Sequence, residues 1–191
     1  MFGLLKRNKE LKERSFITKI FEGEISYNKK QLLKILNENE TTLDDVGYMK
    51  TTYFKERNIL LQKEFGFLLD SCQVFYGQLA KANGYTSWNI ISSWFQRYDK
   101  GNFHDTHIHF ALEDHWNCVF YLDCNSGSSN MVLLEPGYPY ANTNQRFAIK
   151  PKDGGCVAFP GHIPHFVEPN PSDNRLILST NLEFIKGGKN V

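Results

Sequence analysis

Between Leu61 and Leu79 apolar residues recur at steps of three and four, taking in Phe65, Leu68, Cys72 and Phe75, while Lys63, Asp70, Gln73 and Gln78 fall on other faces. The spacing predicts one long amphipathic helix that stops near Asn83-Gly84, where glycine can close a helix end. Ahead of it, Phe16 to Ile25 is spaced as a short strand. Asn28 to Asn37 reads as a helix with Leu32, Leu33, Ile35 and Leu36 inward. After Gly84 the period changes to short strand-like runs: Ser87 to Arg97, His104 to Phe110, Asn117 to Asp123, Asn130 to Leu134, Arg146 to Ile149, Gly155 to Phe159, His165 to Glu168 and Leu176 to Phe184. Turn chemistry separates them, as in Asp99-Lys100-Gly101-Asn102, Asn125-Ser126-Gly127, Asp153-Gly154-Gly155 and Pro160-Gly161. Helices followed by many short strands predict an α+β fold, a sheet sandwich or barrel buttressed by helix. The expected organisation is a single domain over 1–191, with a helical N-terminal part over 1–86 and a β core over 87–185; the Gly187-Gly188-Lys189 tail reads as frayed.

Length agrees with this, since 191 residues bury one core but not two domains and a linker. Hydrophobic residues at 41% and charged residues at 23% exclude extended disorder and collagenous or coiled-coil designs. All three tryptophans lie between Trp88 and Tyr121, an aromatic weight suited to strands around a barrel interior. A net charge of +1 and no clustered basic stripe argue against an extended nucleic acid partner. The first residues mix Lys6, Arg7, Lys9, Lys12 and Arg14 with Glu10 and Glu13, which is no signal peptide, and no apolar run is long enough to span a membrane. Cys72, Cys118, Cys124 and Cys156 form no C-x-x-C pair and read as reduced packing residues. A cytoplasmic setting, bacterial or that of a phage-infected host, is the expectation.

Four of the six histidines crowd into one stretch, His104, His107, His109 and His115. Along a strand, His107 and His109 would share a face, within reach of one ion. His165, opening a run after Phe159-Pro160-Gly161-His162-Ile163-Pro164, is the candidate third ligand. Three protein ligands leave coordination positions open, as iron oxygenases and catalytic zinc sites both require. Ten residues beyond His165 stands Arg175, whose planar fork would match a carboxylate if it enters an apolar barrel.

In this order the residues resemble the iron(II)- and 2-oxoglutarate-dependent oxygenases, particularly the prolyl-hydroxylase-like branch and small phage and bacterial members of unassigned substrate. The resemblance covers roughly Trp88 to Phe184. It rests on Trp94 to Gly101 before the H-x-H, Val119-Phe120-Tyr121-Leu122 after it, Pro151 to Gly155 with Phe159-Pro160, and His165 with Arg175. It implies a double-stranded β-helix, a jelly-roll or cupin-like barrel, with iron(II) at one mouth and 2-oxoglutarate reaching inward. The co-substrate's distal carboxylate would meet Arg175 and Tyr121, and Tyr98 would face it. Dioxygen would complete the chemistry, a hydroxylation of a small molecule or peptide, with succinate and carbon dioxide as by-products. Loops Asn102 to Asp105 and Ser126 to Asn130 and the N-terminal segment are candidate walls of the substrate mouth.

The family's usual set is His-x-Asp/Glu with a distant His, and here His109 stands at the acid position. Asp105 or Asp114 could supply a carboxylate instead, although both read as solvated loop acids. His104 and His115 read as groups around the centre or on the surface, and His162 as a turn residue. Three-histidine sites also occur in cupin-type dioxygenases that use no keto acid and in zinc enzymes, so these remain alternatives, as does a non-catalytic barrel.

Overall fold

The computed structural model describes residues 18–38, 43–109, 112–136, 141–173 and 175–187. Strand β1 (Phe21–Glu24) is followed by helix α1 (Lys29–Glu38), whose N-terminus is capped by the Asn28 side-chain oxygen accepting from the Gln31 amide at 3.0 Å. The two-residue strands β2 (Asp44–Asp45) and β3 (Lys50–Thr51) pair as a hairpin with Gly47 at φ 86° in its turn. Two 3-10 turns, Ile59–Leu61 and Lys63–Phe65, lead into α2 (Gly66–Ala82).

The long helix therefore starts later than its periodicity. Gln62 is extended (φ −70°, ψ 143°) and separates the two turns, which leaves Leu61 exposed. From Leu68 onward the stripe of Cys72, Phe75 and Leu79 is buried as its spacing predicts. The helix ends where expected: Gly84 has φ 76°, its amide donates to the Lys81 carbonyl at 3.2 Å, and the Tyr85 amide donates to the Ala80 carbonyl at 2.9 Å.

The strand block is β4 (Ser87–Tyr98), β5 (His104–His107), β6 (His115–Asp123), β7 (Met131–Pro136), β8 (Ala141–Ile149), β9 (Gly155–Pro160), β10 (His165–Val167) and β11 (Arg175–Ile185). Two differences from the periodicity stand out. Strand β5 stops at His107, three residues short of the expected end at Phe110, which lies outside the described residues. Strand β8 begins at Ala141 rather than Arg146, because pairing with β7 (Glu135↔Asn142, Pro136↔Ala141) recruits a polar stretch that shows no alternation of its own. The N-terminal part also supplies β1, β2 and β3, so it is not purely helical.

All these strands pair antiparallel, in a seven-stranded sheet of order β1-β9-β6-β11-β4-β3-β2 and a four-stranded sheet of order β5-β10-β7-β8. This is the double-stranded β-helix that the family resemblance implies. The larger sheet is buried on both faces. Cys118, Phe120 and Leu122 of β6 and Leu176, Leu178 and Leu182 of β11 pack under α1 and α2. Their neighbours Val119, Tyr121 and Ile177 face the other way, into the space between the sheets with Tyr98, Met131, Val157 and Phe159. A buried hydrogen bond from the Tyr76 hydroxyl to Thr180 Oγ1, 3.0 Å long, ties α2 to the sheet.

Phe120 is fully buried and meets Phe75 and Tyr76 edge-on at centroid distances of 5.9 and 5.7 Å. Phe120→Ala is expected to cost about 3–5 kcal/mol through lost transfer energy and the cavity left behind. The urea midpoint of unfolding checks this.

Candidate functional site

His107 and His165 are brought together by register, because they stand directly opposite one another on β5 and β10. Their ring centroids are 4.2 Å apart. His109 arrives differently from the strand alternation expected of it. It lies beyond the end of β5, and its amide donates to the Gly161 carbonyl at 2.9 Å, in the turn that also delivers His165. The three imidazoles converge all the same: one nitrogen from each lies within 4.8 Å of the others, and His109 Nε2 is 3.2 Å from His165 Nε2.

Two of the rings have their tautomer fixed. His107 Nδ1 donates to the Asp105 carbonyl at 2.7 Å and His165 Nδ1 to the Ile163 carbonyl at 2.9 Å, which leaves each Nε2 with a lone pair for the centre. Burial holds all three rings neutral. It pushes His165 well below the ordinary histidine range, with the adjacent His107 and His109 adding to the effect, and brings His109 to about 3; His107 is lowered less.

This donor set fits an imidazole-binding ion such as iron, zinc, nickel or copper. Two nitrogens each about 2.0–2.1 Å from an ion stand about 3 Å apart when they meet it at a right angle. The 3.2 Å between His109 and His165 matches that separation. Asp105 and Asp114 do not join the cluster. The Asp105 side chain is exposed and its contribution is the main-chain carbonyl under His107, while Asp114 accepts from the Tyr85 hydroxyl at 2.6 Å and pairs with Lys186 at 3.3 Å.

Arg175 opens β11 opposite Tyr98 and is fully buried. Its Nε donates to the Ser129 carbonyl at 3.2 Å, and its guanidinium lies 4.7 Å from the Tyr98 ring and 5.6 Å from the Tyr121 ring. Among the described residues Nη1 and Nη2 have no hydrogen-bond partner, nor do the buried Tyr121 hydroxyl and Ser129 Oγ. A buried guanidinium with two idle donors is costly unless an anion meets it. The cradle therefore fits one end of a dicarboxylic acid. Burial raises the Tyr98 hydroxyl to about 12 and Tyr121 further, against the pull of Arg175, so both hydroxyls stay protonated donors.

Three further groups stand around the site, His104 in keeping with its reading as a group around the centre. His104 stacks on His107 at 3.9 Å, with Nδ1 3.5 Å from the Tyr98 hydroxyl. Trp94 stacks on His109 at 5.8 Å. Ser129 holds Arg175, so loop Ser126 to Asn130 serves the guanidinium end rather than the mouth. Among the described residues the mouth is a cavity of about 230 Å³ over His107 and His109, walled in part by Tyr48, Tyr53 and Phe54 and by His104 from the expected loop. The N-terminal residues 1–17 lie outside the described residues. Crowding of histidines was the available signal for His104; nothing in the sequence marked Ser129.

Residues 92–181 match the model of a family described as "Putative 2OG-Fe(II) oxygenase". No curated protein matches the chain. Among solved structures it is similar to a viral collagen prolyl hydroxylase from Paramecium Bursaria Chlorella virus-1, with a TM-score of 0.59 and 14% identity over 87% of this chain and 96% of that one. A prolyl-4-hydroxylase from Pseudomonas putida gives 0.57 and 13% over 90% and 94%. HygX from Streptomyces hygroscopicus, solved with nickel and 2-oxoglutarate bound, gives 0.60 and 9% over 87% and 83%. These likenesses establish the shared fold, and the family match spans the strands that carry the histidine cluster and Arg175. Over residues 92–181 the chain is thus similar to the 2-oxoglutarate- and iron(II)-dependent oxygenases, and its three-histidine cluster fits iron binding.

Proposed function

We propose that the chain is a hydroxylase in which His107, His109 and His165 hold iron(II), and Arg175, Tyr121 and Tyr98 hold 2-oxoglutarate. The observation that carries this reading is the presence in one barrel of two unsatisfied sets: three converging imidazoles, and a fully buried guanidinium whose two terminal nitrogens lack hydrogen-bond partners among the described residues. Two of the solved relatives are named as prolyl hydroxylases, which favours hydroxylation among the oxygenase reactions. Iron(II), 2-oxoglutarate and dioxygen supply the oxidising power, with succinate and carbon dioxide released.

The chain's own residues bind and orient. Arg175 offers two parallel N–H donors to the distal carboxylate, with the Tyr121 hydroxyl as a further donor. Ser129 fixes Nε and the Tyr98 ring supports the guanidinium plane, so the fork is set before the co-substrate arrives. His107 and His165 keep their Nδ1 protons on main-chain carbonyls and present lone pairs inward. Val119, Met131, Val167 and Ile177 line the narrow chamber beside the histidines and exclude water from it. We place the activity in the cytoplasm, a reading supported by four free cysteines, three of them buried. The substrate would be a small molecule or a peptide rather than an extended nucleic acid.

Anaerobic titration calorimetry with iron(II) and 2-oxoglutarate tests the assignment. One iron(II) per chain is expected, lost in the His107→Ala/His165→Ala variant. Arg175→Ala should weaken 2-oxoglutarate at least tenfold, about 1.4 kcal/mol or more, and abolish uncoupled succinate formation. Undiminished 2-oxoglutarate binding by Arg175→Ala would overturn the role of Arg175. Zinc retained on purification, with no competition from 2-oxoglutarate, would favour a cupin-type or hydrolytic three-histidine enzyme.

The neutral imidazoles also set a pH dependence for the metal-free protein. Their folded pKa values are depressed, so the unfolded chain takes up protons first as pH falls. Stability is then full above the ordinary histidine value of about 6.5 and declines toward pH 3, with a limiting slope of about 1.4 kcal/mol per pH unit for His165 alone. Urea midpoints at pH 7 and pH 5 should differ in that direction, and His165→Phe should flatten the difference.

A further inference from the structure

The cavity over His107 and His109 has walls of one chemical kind. Phe54 and Ile108 stand at it with 68% and 51% of their surface exposed, and Tyr48 with 37%. Behind them Tyr53 meets Trp94 edge-on at 5.0 Å and Phe54 edge-on at 5.4 Å, so three rings form one continuous apolar wall. Exposed apolar side chains gathered at a functional cavity mark a binding surface. Among the described residues no Asp, Glu, Lys or Arg lines the cavity.

The polar groups there are largely occupied. Gln96 Nε2 contacts Met49 Sδ at 3.1 Å, and Asn181 is engaged by Ser92 at 2.9 Å and Asn117 at 3.1 Å. A charged substrate group entering this space would give up its hydration without a counter-ion. On the reading proposed above the centre adds no attraction for a cationic group, because three neutral imidazoles, a dication, a dianionic co-substrate and the Arg175 guanidinium sum to a charge of +1. At about 230 Å³ the space is smaller than the roughly 300–1,000 Å³ of pockets for drug-sized ligands, which suits a single ring-sized group.

The geometry points to a primary substrate that presents one uncharged, apolar ring to the collar of Phe54, Ile108 and Trp94, placing its C–H bonds toward His107 and His109. The ring belongs either to a free small molecule or to a residue within a peptide. This inference rests on the oxygenase reading for the reaction, but the collar itself does not depend on metal.

Titration calorimetry on the full chain, with and without iron(II) and 2-oxoglutarate under anaerobic conditions, tests it with N-acetyl-phenylalaninamide, N-acetyl-lysinamide and N-acetyl-aspartamide as probes. The phenyl probe is expected to bind at least tenfold more tightly than either charged one. Phe54→Ser/Ile108→Ser, at two exposed positions, should remove that preference and leave 2-oxoglutarate affinity unchanged. A glycine-flanked Phe pentapeptide binding tenfold better than the amide supports a peptide source, and equal binding a small molecule. Charged probes bound as well as the phenyl probe, no probe bound at all, or a preference that survives the double substitution would each overturn the inference. Loss of 2-oxoglutarate binding with the ring preference intact would instead overturn the oxygenase reading and leave the collar standing.

Discussion

Strand β11 pairs along its length with β4 on one side and β6 on the other, and it is buried on both faces. A strand in that position has no solvent side, so alternation sorts its residues between two different interiors. Leu176, Leu178 and Leu182 go to the helices; Arg175, Ile177, Ser179 and Asn181 take the opposite face. That face is graded. Toward the mouth, Asn117 donates to Ser179 and Asn181, and Asn181 donates to Ser92, a ladder of short amides and hydroxyls among rigid strands. At the other end stands a single cation. A slip of one residue in β11 would send Arg175 under the helices and Leu176 into the barrel, so register and chemistry are fixed by the same hydrogen bonds.

The two charged or chargeable features of the barrel respond to burial in opposite ways. Imidazoles can escape the cost of desolvation by staying neutral, and they do. A guanidinium has no such escape, since it stays protonated at any ordinary pH. Its burial is tolerable because Ser129 accepts from Nε and two tyrosine rings lie within cation-π distance, but the terminal nitrogens find no hydrogen-bond partner among the described residues. The barrel thus carries a stored demand for one anion at a defined place. Binding a dicarboxylic acid there satisfies donors already oriented, so little ordering cost opposes it.

Much of this was legible in the sequence, and the limits have physical causes. The α2 stripe from Leu68 to Leu79 and its Asn83-Gly84 stop were readable because helix periodicity and glycine chemistry are local. The strand runs were readable where one face differs from the other; Ala141 to Gln145 was not, because its strand character comes from pairing with β7. Residues 107, 109, 165 and 175 were found through spacing, yet the reason given for His109 was incomplete. Its position depends on a main-chain bond to Gly161, a contact across the barrel that no local pattern encodes. Ser129 contributes through its carbonyl, which every residue has, so its side-chain identity could not have announced it.

His109 stands at the acid position of the His-x-Asp/Glu pattern that the chain resembles, and the surroundings suit an imidazole better than a carboxylate. Trp94 offers a flat face to the ring at 5.8 Å and 29°, and the Gly161 carbonyl holds the backbone. An aspartate here would have to be desolvated as an anion before any metal arrived, whereas a neutral ring is not penalised in the same way. On the reading proposed above, the cost of the exchange would fall on the ion, which would keep its full double charge among three neutral donors. One carboxylate of the co-substrate would answer part of that charge, the other being held by Arg175. A centre built this way would depend more heavily on its anionic co-substrate for charge balance than one carrying an acid of its own, so a weakened grip at Arg175 would also be felt at the metal.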